Sequence, residues 1–301
     1  MKKITRRQAI TVCAAPLLAR DRPRVAITMD DVLWQNIPED RRPEAEDRLF
    51  NHVARTKVFL FTVGQWVDND HGRGILKRWS DAGHLIGNHT YSHRALKGDA
   101  KPEEFEQDIL RNEPLLAGYR GFRKFLRFPE LKEGDTREAR DHVRAFLAKH
   151  GYRNGAVTID ASDWYYEQRL SARIKADPKF DVARYREPYL NHTWERAQFY
   201  DQLSRDVLGR SVAHTLLVHY TFLNSLFLGD VLAMFRSKGW GIIHADEAFS
   251  DPVFRRQPDI VPAGESLISA LAKESGKFDA LLSRPSEDGV FGEKILDRLG
   301  L

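Results

Sequence analysis

Cysteine is all but missing: the 301-residue chain has one, Cys13. That excludes a disulfide scaffold and any zinc knuckle built on thiolates. No run approaches the roughly 18 consecutive apolar residues of a bilayer span, which excludes a multi-pass membrane protein and leaves no stable membrane span to expect. Neither GxGxxG nor GxxxxGK[ST] follows any β-like run, so dinucleotide and P-loop readings have no support. A basic body is missing too. The formal net charge is +4, yet Lys2, Lys3, Arg6 and Arg7 all fall within residues 1–19, which hold no acid. Beyond them basic and acidic residues balance, so the body carries no positive excess with which to hold nucleic acid.

What is present suits one sizeable core: 42% of residues are hydrophobic and 30% charged, in a chain too short for three domains. Residues 1–19 combine a charged start with an apolar stretch from Ala9 to Ala19, followed by Asp21-Arg22-Pro23-Arg24. This reads as an export signal, twin-arginine-like in Thr5-Arg6-Arg7-Gln8-Ala9-Ile10, and places the mature protein in the periplasm or outside the cell. A frayed helix on a cytoplasmic protein is the alternative. Removal of the signal would take Cys13 with it.

From Val25 onward two patterns alternate. Val25–Met29, Val58–Val63, His84–Gly87, Phe125–Phe128, Ala156–Ile159, Thr215–Val218 and Gly241–His244 read as strands. Helical periodicity fills Glu44–Arg55, Gly74–Asp81, Pro102–Leu116, Thr136–His150, Trp194–Leu208 and Leu226–Lys238. Strands separated by helices predict parallel βαβ units with right-handed crossovers, and so an α/β barrel, closed or nearly so. An open doubly wound sheet is the alternative. Trp164–Arg196, aromatic and charged with Pro178 and Pro188, reads as a long irregular excursion bordering a substrate groove. The tail beyond Ser250 reads as an extension packed on the barrel, with a helical pattern over Glu265–Ala272.

In parallel α/β folds functional groups gather at the C-terminal ends of strands. Here those ends are ionisable one after another: Asp30-Asp31, then Asn88-His89-Thr90-Tyr91-Ser92-His93, Arg127-Phe128-Pro129, Asp160-Ala161-Ser162-Asp163-Trp164 and His219. On a helical turn, a spacing of four would set the His89 and His93 imidazoles on one face, able to share an ion. A carboxylate from a neighbouring strand end would complete an open site of two imidazoles and one carboxylate. A zincin motif is excluded, because Thr90 stands where HExxH needs its glutamate. Neighbouring residues at a strand end point to opposite sides, so one of Asp30 and Asp31 would ligate metal while the other faces attacking water. A turn or a helix cap is the plain alternative for both. Two anions in a small space need compensating charge, from a cation and from Arg127. Asp163 would orient His219 and raise its pKa, giving a protonated acid near neutrality.

In order and identity these residues resemble the motif set of the NodB-type polysaccharide deacetylases, carbohydrate esterase family 4. Thr28-Met29-Asp30-Asp31-Val32 is similar to the family's TFDDG, and His89-Thr90-Tyr91-Ser92-His93 to H[ST]xxH. Arg127-Phe128-Pro129-Glu130 is similar to RxPY, Asp160-Ala161-Ser162-Asp163-Trp164 to DxxDW, and Leu217-Val218-His219 to LxH. The likeness runs from Val25 to Ala248. It implies a distorted (β/α)7 barrel, with a deacetylase domain over 24–250 and a C-terminal extension over 251–301. It further implies that Asp31, His89 and His93 bind a divalent metal, most often zinc, otherwise cobalt, nickel or another ion. Asp30 would be the base that activates water, and Arg127 would hold it ionised. His219, oriented by Asp163, would protonate the leaving group. The Glu130 backbone N–H would join the metal in stabilising the oxyanion, and Leu217 would line the acetyl-methyl pocket. Trp164, with Tyr165, Tyr166, Tyr185, Tyr189 and Trp194, is a candidate for stacking sugars. The implied partner is an acetylated glycan or polysaccharide.

Three departures from the family pattern bear on the site. Val32 replaces a glycine, Phe128 a proline, and Glu130 a tyrosine. An acidic side chain beside an oxyanion is electrostatically awkward unless it points away. A hydrolase of a small linear or cyclic amide and a non-catalytic sugar-binding relative are the competing readings, and a non-haem iron oxygenase would use the same ligand set.

Overall fold

The computed structural model describes residues 22–278, 282 and 289–301; the leader expected over 1–19 lies outside them. At the centre is strand β1 (Arg24–Asp31), buried from Val25 to Asp30. Its near-continuous apolar run is that of a parallel strand covered on both faces. On one side follow β2 (Phe59–Thr62), β3 (Leu85–Asn88) and β4 (Phe122–Leu126), and on the other β8 (Ala213–His219), all parallel. Residues 153–160 link the two flanks: β6 (Arg153–Asn154) pairs with β4, and β7 (Ile159–Asp160) with β8. The sheet therefore curls round on itself, as the barrel reading expects. Strand β9 (Gly241–Ile242) pairs with the start of β1, where Arg24 and Val25 precede the stretch bonded to β2.

The helices cover this sheet close to the positions their periodicity predicts: α1 (Arg42–His52), α2 (Asp70–Asp81), α3 (Pro102–Leu116), α4 (Arg137–Lys149) and, later, α7 (Phe222–Ser237). The expected irregular excursion is the exception. It folds as two helices, α5 (Asp163–Ala176) and α6 (Arg186–Leu208). Pro178 falls in their connection and Pro188 in the first turn of α6, where a missing N–H breaks no helical bond. Three of its aromatics, Tyr166, Tyr185 and Tyr189, are buried in the core. Trp194 packs edge-on against Phe235 and Trp240. These four are packing residues rather than sugar platforms. Trp164, at the start of α5, remains 39% exposed.

The tail packs on the barrel. Helix α8 (Leu267–Ser275) lies against α6, α9 (Val290–Arg298) lies against α5 and α6, and β10 (Ala263–Gly264) runs antiparallel to the short β5 (Lys132–Gly134).

Candidate active site

Strand alternation fails where β1 ends. Asp31 and Val32 have φ of 80° and 55°, in the left-handed region that a β-branched residue resists most. The turn brings the two carboxylates into one cavity instead of opposite faces. His89 Nε2 stands 3.4 Å from Asp31 Oδ1 and 3.7 Å from Asp30 Oδ2. Val32 thus occupies a backbone conformation natural to the family's glycine, and is itself fully buried.

The two histidines converge without a helix, which corrects the expectation drawn from their spacing. Thr90 and His93 both have φ of 61°, and the His93 N–H donates to Thr90 Oγ1 at 3.0 Å. This loop sets His93 Nε2 3.4 Å from Asp31 Oδ1. Asn112, from α3, holds it: Asn112 Nδ2 lies 2.8 Å from Thr62 O, 3.0 Å from Asn88 Oδ1 and 2.8 Å from Thr90 O. Asn88 Oδ1 also accepts from the Thr90 N–H, and Asn88 Nδ2 lies 3.0 Å from the Tyr152 hydroxyl. His89 Nδ1–H donates to Arg127 O at 2.7 Å. A carbonyl can only accept, so the ring proton sits on Nδ1 and the Nε2 lone pair faces Asp31.

Ligand atoms of Asp31, His89 and His93 all lie within 4.8 Å of one another. Asp31 Oδ1 is buried with no hydrogen-bond donor among the described residues. Burial, joined by the charge of His89, pushes the His93 imidazole down to about 4, so it is neutral at pH 7. Burial works the other way on Asp31, but the His89, His219 and His93 rings outweigh it and hold the carboxyl well below its usual range. An ionised oxygen and two imidazole nitrogens aimed at one point fit Zn²⁺ or a similar divalent ion.

Asp30 is held from behind. Arg127 Nη1 donates to both of its oxygens, at 3.0 and 2.9 Å. Nη2 donates to Thr28 Oγ1 at 3.0 Å and Nε to Gly155 O, so the buried guanidinium spans the barrel interior from β1 to the 153–160 segment. Burial pushes the Asp30 carboxyl upward, and Arg127 opposes it.

On the facing flank His219 ends β8, in register with Asp30. Its Nδ1–H donates to Asp163 Oδ1 at 2.7 Å and its backbone N–H to Asp163 Oδ2 at 2.8 Å. Asn224 Nδ2 donates to the same Oδ2 at 2.6 Å and to His219 O at 2.9 Å, and the Tyr189 hydroxyl lies 2.7 Å from Asn224 Oδ1. Burial disfavours the imidazolium, yet the charge and hydrogen bond of Asp163 prevail and push His219 up to about 10. Asp163 therefore serves His219 and is not the cap of α5. Leu217, two positions earlier on β8, shares the face of His219.

Glu130 adopts φ of 51°, and its carboxylate, about half exposed, pairs with the Lys97 ammonium. The acid thus points to a cation at the rim, though its charge still favours protonation of His93. Its backbone N–H has no acceptor among the described residues. Asn88, Asn112, Tyr152 and Asn224 carry no sequence signal, being single polar residues whose partners only the fold assembles.

Residues 18–155 match the family described as polysaccharide deacetylase. That stretch is similar to a polysaccharide deacetylase domain. The matched stretch holds Asp30, Asp31, His89, His93, Arg127 and Glu130, and ends before Asp163, Leu217 and His219. A peptidoglycan-N-acetylglucosamine deacetylase of Bacillus cereus is 32% identical over 111 residues, 36% of this chain and 37% of its own length. The match thus spans little more than a third of that relative. A family 4 carbohydrate esterase pseudoenzyme from Bacillus anthracis superposes at a TM-score of 0.53, with 17% identity over 76% of this chain and 66% of its own. A mutant of it with restored enzymatic activity gives 0.53 and 18%, over 76% and 68%. At such identities the likeness is one of fold: the chain has the curled (β/α)7 architecture of these structures.

Proposed function

We propose that the protein is a metal-dependent hydrolase that removes acetyl groups from N-acetylated, or O-acetylated, polysaccharide of the cell envelope, which it reaches through the export signal in residues 1–19. The observation that carries this reading is Asp31 Oδ1, buried without a donor and 3.4 Å from each of two imidazole nitrogens. Asp31, His89 and His93 would hold the ion, Zn²⁺ by their donor set, with Co²⁺ or Ni²⁺ as substitutes. When bound, such an ion supplies Lewis acidity toward the acetyl carbonyl and lowers the pKa of water.

Asp30 accepts the proton of the attacking water. Its upward-shifted pKa makes it a stronger base, and Arg127 fixes its direction. The Glu130 N–H donates to the oxygen that becomes anionic. His219, charged by virtue of Asp163, passes the Nε2 proton to the departing amine or alcohol as the tetrahedral species collapses. Leu217 offers an apolar wall to the acetyl methyl, and the exposed Trp164 ring a surface for a sugar. The Bacillus cereus relative's name supports a glycan containing N-acetylglucosamine.

Acetate release from N-acetylglucosamine oligomers, peptidoglycan and O-acetylated glycans, set beside turnover of small linear amides and cyclic imides, tests the reading. Release should stop with a chelator, return with Zn²⁺, and fall about 10²–10⁴-fold in Asp30→Ala. A fully active Asp30→Ala protein would overturn the assignment, and turnover of the small amides alone would replace the substrate class.

A further inference from the structure

The loop that carries Arg127 and Glu130 is held by a segment more than a hundred residues later in the chain. In the antiparallel pair of β10 and β5, Ala263 lies opposite Gly134 and Gly264 opposite Lys132. Just beyond, the Glu265 N–H donates to Leu131 O at 2.9 Å and the Leu267 N–H to Val157 O at 2.7 Å. At its other end the segment is anchored on α4. Asp259 pairs with Arg137 and, at 2.7 Å, with Arg140. Arg140 also donates to Ile260 O and Arg144 to Pro258 O, each at 3.1 Å. The fit over the loop is close. A Cβ on Gly264, whose φ is +123°, would stand 1.9 Å from Leu131 O, so only glycine can lie there.

What this segment holds is a turn that would not keep its shape unaided. Glu130 and Leu131 are consecutive non-glycine residues with φ of 51° and 55°, a conformation that persists only where the surroundings over-determine it. The turn leaves the Glu130 N–H without an acceptor among the described residues. At its start the same loop presents the Arg127 carbonyl to His89.

We propose that residues 258–267 are a positioning strap for catalysis: by bonding Leu131 O and seating Gly264 against it, they aim the Glu130 N–H at the point where the oxyanion forms. The proposal rests on the reading of Glu130 given above. It assigns a catalytic purpose to the extension, outside the residues matched to the family. Gly264 acts through Leu131 and is a positioning residue.

The full-length chain, Gly264→Ala and Asp259→Ala are compared by three measurements. These are kcat and KM for acetate release from an N-acetylglucosamine oligomer with Zn²⁺, Co²⁺ affinity from its absorption spectrum, and amide exchange over residues 128–134. Gly264→Ala should lower kcat about tenfold or more, a fraction of the 10²–10³ lost with a whole oxyanion donor. KM should stay within about threefold, the mark of an interaction made in the transition state. Co²⁺ affinity should be unchanged and exchange over 128–134 faster. Asp259→Ala removes an exposed pair to Arg137 and one to the buried Arg140, which keeps Asp141 and Ile260 O as partners; it should give a milder form of the same pattern, which decides the matter if Gly264→Ala does not fold.

Faster exchange with unchanged kcat overturns the positioning role. Unchanged exchange in both variants overturns the strap itself. Co²⁺ affinity falling in step with kcat points to general damage and overturns it as well. Wild-type protein that binds Co²⁺ but releases no acetate from any glycan defeats the deacetylase reading and the strap's catalytic purpose with it, while the exchange measurement still reports whether residues 258–267 clamp the loop.

Discussion

As the proposed proton donor, His219 must stay charged near neutral pH, which needs an anion at its back, and Asp163 lies there, 2.7 Å from Nδ1. With its charge outweighing burial, the imidazole is pushed up to about 10. Asp163→Asn removes the charge, so the His219 pKa must fall. The acid works only when protonated, and activity is lost as pH rises through its pKa; the alkaline limb of the kcat/KM profile should therefore move to lower pH. An unmoved limb would mean that another group donates the proton. At this scale the sequence was legible wherever chemistry repeats at a fixed spacing, as in His89-Thr90-Tyr91-Ser92-His93 and Asp160-Ala161-Ser162-Asp163-Trp164. It was silent on Asn112 and Asn224, whose amides meet carbonyls and carboxylates brought near only by folding. Direction was also hidden. Nothing in Asp30-Asp31-Val32 announces that a left-handed turn without glycine will aim both carboxylates into one cavity.

Among the elements, α3 has the clearest effect on the site, through one side chain. Asn112 Nδ2 has two hydrogens and three acceptors, Thr62 O, Asn88 Oδ1 and Thr90 O. Asn112→Ala removes the bonds that tie these three together and leaves each with one backbone donor, the His89, Thr90 and Gly64 N–H groups respectively, at a cost of about 0.5–1.5 kcal/mol in urea unfolding. Since Asn88 and Thr90 adjoin the two histidines and Thr62 O ties them to β2, Zn²⁺ affinity should fall by about 10–100-fold, as for other outer supports of metal ligands. Lost stability with intact affinity would show that the loop is set from elsewhere. Element existence was legible because the core strands are apolar runs and the helices carry long amphipathic stripes. The failure over Trp164–Arg196 has a physical cause. Its prolines suggested irregularity, but they sit at a connection and in a first turn, where helices tolerate them. Its tyrosines were ambiguous because an aromatic ring suits a core as well as a sugar face. The helical turn expected at His89–His93 failed for the opposite reason, since a spacing of four also fits a loop bent at Thr90 and His93.

At the scale of the whole molecule, the two ends of the barrel are held by separate networks. His214 is in register with Val25 at the start of β1, and His219 with Asp30 near its end, roughly 16 Å apart at strand rise. At the far end Asp201 of α6 accepts from Ser211 Oγ, from Arg205 Nε at 3.0 Å and, at 3.3 Å, from His214 Nε2. These bonds overcome burial and push its carboxyl down to about 2. A folded-state pKa below the unfolded one gives stability that is present above about pH 4 and lost as pH falls through about 2. Asp201→Asn should therefore cost on the order of 1–2 kcal/mol at pH 7, and its urea midpoint should converge on the wild-type value as pH drops from about 4 to about 2. The proposed metal would act at the other end. An ion that binds only the folded chain adds about 2.7 kcal/mol at a hundred times its Kd. Effects at distant sites without shared partners add, so Zn²⁺ should raise Tm equally in wild type and in Asp201→Asn, and not at all in His93→Ala. Loss of the increment in Asp201→Asn would mean that the two ends are coupled through β8. Its survival in His93→Ala would mean that the ion sits somewhere other than between Asp31, His89 and His93.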